Sequence, residues 1–324
     1  METPDHNASP LRGFSRLPAG LAAASGLRRY ALVTPARNEG KYLRALMDSV
    51  VAQIVQPVRW VIVSDGSTDD TDVIVTEYAR RYPFISLLRR ESGAERSFGS
   101  KAVAFQRGVE QLGSLAFDYL GNLDADITLE PDYYERILET MEQNPRLGVA
   151  TGVCWDKTES GFHCVTMSLN HAVGAVHFFR RACFEAVGGY RPVSVGGMDS
   201  LAVLSARMHG WETRCWPELP VYHHKPVDSA GGRSAFRIAY RAGETEYHIG
   251  THPLFAVVKA LRRWRSSPLV LGSLIRLIAY FRLWIFSRPR DASPELTRYV
   301  HREQMARLRS LFRRGRTSRQ LELL

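Results

Sequence analysis

The sequence predicts an α/β fold, a mainly parallel sheet flanked by helices, with a helical membrane-associating extension at the C-terminus. Two observations carry the sheet. From Tyr30 onward, short apolar runs alternate with segments of helical periodicity, the pattern of strand–helix–strand units whose strands run parallel. Residues able to do chemistry also fall just after strand candidates, at Pro35–Glu39, Asp65–Asp70 and Asp124–Asp126. In open α/β sheets the ligand crevice lies beyond the carboxyl ends of the strands, so both patterns point to one architecture. A chain of 324 residues, 45% hydrophobic and 23% charged, has ample material for such a core.

Taken in order, Tyr30–Thr34 is β-rich and stops at Pro35. Lys41–Gln53 places Leu43, Leu46, Met47 and Val50 on one helical face. Val58–Ser64 is a second apolar run, ended by Asp65-Gly66-Ser67. Asp69–Arg81 reads as a helix with acidic residues in its first turn, where they complement the exposed backbone amides. Phe84–Leu88, Lys101–Leu112, Phe117–Leu123, Pro131–Gln143 and Gly148–Cys154 continue the alternation, with Pro131 suited to a first helical turn. The second half is less regular. Val173–Phe179 reads as a strand, Gly188-Gly189-Tyr190 as a loop, Ser200–His209 as a helix and Glu218–His224 as a short strand. Helical segments follow at Arg233–His248, Pro253–Arg265 and Pro268–Ser287, then a charged helix from Pro294 to about Arg314. Residues 1 to about 28, rich in Pro, Gly, Ser and Ala, read as a disordered leader. No basic start precedes an apolar run there, so no secretory signal is expected. Cys154, Cys164, Cys183 and Cys215 lack metal or redox spacing and sit among core-like residues, which suggests inert thiols in a reducing cytosol.

Asp124-Ala125-Asp126 is the central feature. In an extended segment residues two apart point the same way, so both carboxylates face one crevice. Two hard oxygen ligands at a strand end suit Mg²⁺ or Mn²⁺ holding a diphosphate. After the second strand, Asp65 can accept the imide proton of a uracil or thymine ring, or the same segment can serve as an ordinary turn and helix cap.

Pro35-Ala36-Arg37-Asn38-Glu39, Ser64-Asp65-Gly66-Ser67-Thr68-Asp69, the helix start at Lys101, Asp124-Ala125-Asp126, Gly188-Gly189-Tyr190 and Gly197-Met198-Asp199 occur in the order seen in family 2 glycosyltransferases. The chain resembles that family from Tyr30 to about His224. His223-His224-Lys225 and Gly250-Thr251-His252-Pro253-Leu254-Phe255 further resemble a bacterial subgroup linked to exopolysaccharide gene sets. The resemblance implies a GT-A, Rossmann-like catalytic domain over 29–228, with a nucleotide-sugar half over 29–126 and an acceptor half over 127–228. Residues 229–324 are then the basic helical extension. It implies that Pro35, Asn38 and Glu39 line the donor base and ribose, that Asp65 binds the base, and that Lys101 lies near the base or phosphates. Asp124 reaches the ribose or metal, Asp126 coordinates the metal, Asp199 is the general base, and His223 or His224 is a further metal ligand. Adjacent strand residues face opposite ways, so the two histidines are alternatives. The sequence departs from the family at Ser64, Met198 and Leu201, where many members carry an acidic residue or, before the base, a glutamate or tryptophan.

The implied reaction is inverting transfer from a nucleotide-diphosphate sugar, UDP- or dTDP-linked in preference, to a hydroxyl of a saccharide or lipid-linked acceptor in cell-surface polysaccharide synthesis. The leaving diphosphate gathers negative charge that a divalent cation stabilises, and the acceptor hydroxyl must lose a proton as it attacks. The alternative is a catalytically inactive, membrane-recruited nucleotide- or saccharide-binding scaffold on the same fold. No glycine-rich phosphate cradle follows the first strand, which argues against dehydrogenase and nucleotidyltransferase readings.

The net charge of +10 resides in the tail: from Lys259 onward there are 16 Lys and Arg against 4 Asp and Glu. Pro268–Ser287 is strongly apolar but interrupted by Arg276 and Arg282, residues costly at a bilayer centre. A broad apolar face with a basic edge suits a helix lying on an anionic membrane surface, and packing against the catalytic domain or a dimer partner is the other possibility. The expected location is cytoplasmic, peripheral at the inner face of the plasma membrane. Nucleic acid is not an expected partner, because no recognition motif or interleaved stacking aromatics accompany the arginines.

Overall fold

The computed structural model describes residues 28–91, 98–165, 168–225, 235–264 and 269–313. The leader expected over residues 1 to about 28 falls almost wholly outside these. The strands are β1 (Tyr30–Ala36), β2 (Arg59–Asp65), β3 (Ile85–Arg90), β4 (Tyr119–Asn122), β5 (Ile127–Leu129), β6 (Leu147–Thr158), β7 (Gly161–Cys164), β8 (Phe178–Arg180) and β9 (Glu212–His223). The helices are α1 (Gly40–Val51), α2 (Thr71–Arg81), α3 (Phe98–Leu112), α4 (Tyr133–Gln143), α5 (Arg181–Val187), α6 (Met198–Met208), α7 (Ala235–His248), α8 (Pro253–Arg262), α9 (Leu269–Ile285) and α10 (Pro294–Arg313).

The strands form one sheet in the order β3-β2-β1-β4-β8-β6-β9-β5, with β7 hairpinned onto β6. β3, β2, β1 and β4 are parallel, as the alternation predicts. Beyond β4 the sheet is mixed: β8 is antiparallel to β4 and β6, β9 runs parallel to β6, and β5 is antiparallel to β9. Leu43, Leu46, Met47 and Val50 of α1 are all buried, so its face was read correctly.

Several local expectations change. Pro131 precedes Asp132, the N-cap of α4, and so lies outside the helix. Val173–Phe179 is not a continuous strand, because a 3-10 turn at Gly174–Val176 interrupts it and leaves only three residues to β8. The Asn122 side-chain amide donates to the Gly174 carbonyl at 2.8 Å and holds that turn against β4. The strand expected from Glu218 begins at Glu212, and its ladder shifts between Trp216 and Pro220. Pro217, which has no amide to donate, falls in that bulge. Gly152 sits opposite, where a Cβ would meet the Leu219 carbonyl oxygen at 2.0 Å. Cys154, Cys183 and Cys215 are buried as expected, but Cys164 is exposed because the β7 hairpin stands off the core.

Apolar cores cover both faces of the sheet. One packs Tyr30, Trp60, Tyr134 and Phe178 with α1, α2 and α4. The other packs Phe105, Phe179, Phe184 and Tyr190 with α3, α5 and α6, and includes Ala292, Leu296 and Val300 from the region of α10. Arg207 of α6 also pairs with Glu303 of α10 at 3.2 Å. A smaller core joins α7, α8 and α9 through Tyr247, Ala256, Tyr280 and Leu283.

Within that helical layer Glu246 is buried and receives Arg276 at 2.5 Å and Lys259 at 2.8 Å. Burial pushes its carboxyl up, but Lys259 and Arg276 outweigh this and hold its pKa below the usual 4.5. The unfolded chain therefore takes the proton first on acidification. The stabilisation is complete above about pH 4.5 and is lost as pH falls through the folded value. Glu246→Gln, which deprives the half-buried Lys259 and Arg276 of their buried carboxylate, is expected to cost about 3 kcal/mol at neutral pH. Denaturant unfolding at a series of pH values should show this loss shrinking towards acid pH.

Candidate active site

The crevice opens where β1, β2 and β4 end. The β1–α1 and β2–α2 loops are locked together there: the Asn38 side-chain oxygen accepts from the Thr68 amide at 2.8 Å, and Ser67 Oγ accepts from the Asn38 amide at 3.2 Å. Asn38 has φ 56°, a left-handed conformation that Asn tolerates better than most residues. Asp69 accepts from the backbone and hydroxyl of Thr71 and from the Gly40 amide, joining the starts of α1 and α2. Burial raises its pKa, but these bonds prevail and the carboxyl stays below the usual range. Pro35 lies half-buried near the end of β1. Asp65, buried at the end of β2, takes the Arg90 guanidinium at 2.8 Å. Glu39 is also buried and takes Lys225 at 2.7 Å across the crevice. Sequence reasoning gave no role to Arg90 or Lys225, because neither pairing is visible before the strands are laid side by side.

The chain turns at Ala125-Asp126, so the two carboxylates diverge instead of stacking along a strand. Asp124 receives the Lys101 ammonium at 2.5 Å, while the Asp126 carboxylate lies 3.4 Å from His223 Nε2. Lys101 stands at the start of α3. Burial pulls its pKa down, but Asp124, then Asp199 and Asp126, outweigh burial and keep the ammonium charged. For Asp124 burial wins and its carboxyl is raised. Burial pushes Asp126 up too, but the hydrogen bond and charge of His223, with Lys225 and Lys101, bring it below the usual range. Asp126 is thus an oxygen donor bracketed by His223, Lys225 and Lys101.

His223 and His224 part as adjacent strand residues must. His223 turns into the crevice, with Nδ1 3.0 Å from Asp156 and Nε2 facing Asp126. Burial lowers its pKa, yet the two carboxylates overcome this and raise it to about 9. His224 turns to the opposite face, where Nε2 lies 2.8 Å from Thr128 Oγ1 and the ring meets Phe162 edge-on. Of the two alternatives, His223 is the one that faces the Asp126 carboxylate. Asp156, absent from the expectations, orients His223. It pairs with His223 in the β6–β9 register, which the sequence does not reveal.

Asp199 lies in the first turn of α6 without capping it; the N-cap is Gly197 at φ 88°, with no side-chain cap. Its carboxylate presses on Gly174, where an added Cβ would sit 2.4 Å from Oδ2. That turn is the one fixed by Asn122, so Asp199 is held beside the Asp124 segment. Behind it His177 is buried: Nδ1 lies 2.7 Å from the Tyr190 hydroxyl and Nε2 3.1 Å from the Ala172 carbonyl. A carbonyl can only accept, so Nε2 carries the proton and Tyr190 donates to Nδ1. Burial lowers the His177 pKa to about 4, so the ring is neutral.

The donor set can be tested against a divalent ion. Among the described residues no three His, Cys, Asp or Glu side chains form an all-protein cage. Small hard cations do not need one, since they bind through one or two carboxylates with substrate phosphates and water completing the shell. Asp126 beside His223, with Asp156 bonded to the far ring nitrogen, fits that arrangement provided the metal displaces the proton that the two carboxylates otherwise hold on His223.

Residues 31–184 match the profile of glycosyl transferase family 2. Similar proteins include a chondroitin synthase of Pasteurella multocida, 31% identical over 118 residues, which cover 36% of this chain and 11% of the relative. The glycosyltransferase YibD of Escherichia coli is 30% identical over 38% of this chain and 33% of its own length. A poly-beta-1,6-N-acetyl-D-glucosamine synthase of Staphylococcus epidermidis is 29% identical, over 36% and 26% respectively. The matched region thus spans between about a tenth and a third of these relatives. Among solved structures, a mannosyltransferase of Pyrobaculum calidifontis in complex with GDP-Man and Mn²⁺ superposes with TM-score 0.51 at 19% identity, over 89% of this chain and 76% of that one. S. aureus TarS 1-349 in complex with UDP-GlcNAc gives 0.52 at 15% identity, over 80% and 74%. These likenesses concern the fold. Together with the family profile they give the conclusion that this chain carries a family 2 glycosyltransferase domain in the GT-A fold.

Proposed function

We propose that the protein transfers a sugar, with inversion, from a nucleotide-diphosphate donor to a hydroxyl of a saccharide or lipid-linked acceptor in cell-surface polysaccharide synthesis. The observation that carries this reading is the cluster at the strand ends, where Asp124 holds the Lys101 ammonium at 2.5 Å, Asp126 faces His223 at 3.4 Å, and Asp199 packs on the Gly174 turn that Asn122 ties to β4. Carboxylates brought together from separate elements form a site for phosphate and proton chemistry.

In this reading Asp65 accepts the imide proton of the base, which favours UDP- or dTDP-sugars, and Asn38 and Glu39 shape the same wall. Lys101 and Lys225 face the diphosphate. Asp199 accepts the proton of the acceptor hydroxyl as its oxygen bonds to the anomeric carbon and the bond to the donor phosphate breaks. Asp126 and His223 would hold Mg²⁺ or Mn²⁺, which would supply positive charge where the diphosphate departs. The names of the relatives, polysaccharide synthases among them, support a polymer or glycan acceptor. A thermal-shift panel of UDP-, dTDP- and GDP-sugars with and without Mn²⁺, followed by assay of nucleotide release with saccharide acceptors, tests the proposal. Metal-dependent binding raises apparent stability by mass action and identifies the donor. Tight nucleotide binding with no turnover of any donor would overturn transfer in favour of a binding scaffold.

The membrane expectation concerns α8 and α9. Arg276 and Arg282, which interrupt the apolar stretch, are engaged with α7, through Glu246 and Glu244. Val270, Leu271, Leu274 and Ile278 of α9 are exposed, as are Leu261 of α8 and Trp264 after it, while Arg282 stays half exposed. Arg262, Arg263 and Arg288 are exposed at the ends of this helix pair. None of the described helices is long and apolar enough to cross a membrane. Apolar side chains with tryptophan and arginine at the margin suit the headgroup boundary, and we place the protein at the cytoplasmic face of the plasma membrane. Flotation with vesicles containing phosphatidylglycerol is expected to carry the protein upward, and Leu274→Glu with Ile278→Glu to abolish this. Flotation that ignores both the anionic lipid and the substitutions would refute it.

A further inference from the structure

We propose that the C-terminal helices position the catalytic loop of the sugar-transfer reaction, and that Asp291 is the positioning residue through which they do so. The inference rests on the reading of Asp199 as general base.

Asp199 is preceded by Ser194-Val195-Gly196-Gly197. Gly196 and Gly197 have φ 120° and 88°, and α6 has no side chain capping its start. Two consecutive glycines in the left-handed region leave the backbone with little preference of its own. The path into α6 must then be set by what the loop touches. Much of what it touches comes from the C-terminal helices. The Asp291 carboxylate, between α9 and α10, accepts from the Ser194 amide at 3.0 Å and from the Ser194 hydroxyl at 2.8 Å. Arg241 of α7 donates to the Val195 carbonyl at 3.0 Å. Thr245 and Ile249 close over Gly197, where a Cβ would meet their methyl groups at 2.9 and 3.0 Å. Asp291 is itself located by α7: the Ala292 amide donates to the His248 carbonyl at 2.9 Å, and His248 Nδ1 lies 3.4 Å from the Asp291 carboxylate. Three residues in four are gripped from α7 and the α9–α10 segment, and the carboxylate assigned as base stands two positions further on.

A carboxylate that accepts two hydrogen bonds from one residue fixes both its position and its orientation. Releasing Ser194 should let the N-terminus of α6 shift relative to Gly174 without disturbing the nucleotide half of the crevice. Misplacing a reacting group by an ångström can cost about a hundredfold in rate. The test compares Asp291→Asn, Asp291→Glu and Ser194→Ala with the parent in the full-length protein. Measured are melting temperature, nucleotide affinity, acceptor KM, kcat, and amide hydrogen exchange over the segment from Val193 to Leu201. We expect kcat to fall roughly 10- to 100-fold in Asp291→Asn, with unchanged nucleotide affinity, faster exchange in that segment, and partial recovery in Asp291→Glu. Ser194→Ala, which removes only a hydroxyl, should show the same pattern more weakly and serves if Asp291→Asn does not fold. Parent-like kcat and exchange in the variants would overturn the proposal. So would a loss of activity that merely follows the folded fraction. If Asp199→Asn remains fully active, the base assignment fails by itself; if it is inactive while Asp291→Asn is normal, only the positioning role fails.

Discussion

Asp126→Ala is expected to lower kcat/KM for sugar transfer by about 10²- to 10³-fold and to abolish the response of the protein to Mn²⁺. Asp126 is the carboxylate that the surrounding His223, Lys225 and Lys101 keep ionised, and it faces the imidazole that Asp156 orients. Removing it leaves His223 as the remaining protein donor of the proposed pair and strips the leaving diphosphate of its chief source of positive charge. Lys101 and Lys225 stay in place, so nucleotide binding without metal should persist. Initial rates and nucleotide thermal shifts across a metal titration measure both effects. A variant that keeps the metal response would place the ion elsewhere in the crevice.

Asp199→Asn is expected to reduce kcat by roughly 10²- to 10⁴-fold, the range usually supplied by one well-placed general base. Donor affinity should hardly change, because Asp199 packs on Gly174, whereas Asp65 and Glu39 are held by Arg90 and Lys225. The substitution keeps the shape of the side chain, so the contact with Gly174 survives and the loss reports on proton transfer. Single-turnover rates with the donor prebound separate the chemical step from binding. Retained activity would move the base to another carboxylate.

Much of the first half of the molecule was legible because its signals are local. Alternating apolar runs gave β1, β2, β3 and β4, and helical spacing gave α1 with its buried face. Pro35, Asn38, Asp65, Lys101 and Asp124 could be located at strand ends or helix starts from punctuation by Pro, Gly and Asp. The second half resisted because its decisive contacts are non-local. That β8 is only three residues long depends on Asn122 seizing the Gly174 carbonyl, 52 residues away. The choice between His223 and His224 needed the register of β9 against β6, which is also what brings Asp156 into the site. Arg276 and Arg282 illustrate the same limit. Their place in an apolar stretch marked them as costly in a bilayer, but only the packing of α7 supplies their partners, Glu246 and Glu244.

Ala292, Leu296 and Val300 share a core with α3, α5 and α6, while α7, α8 and α9 carry the exposed apolar side chains. Preparative work inherits a constraint from this. Trimming the greasy C-terminal helices to obtain a better-behaved fragment would uncover the flank of α6 and exchange one sticky surface for another. The polypeptide should be purified whole, with detergent or lipid shielding the outer helices, and any shortened version is expected to precipitate before it can be assayed.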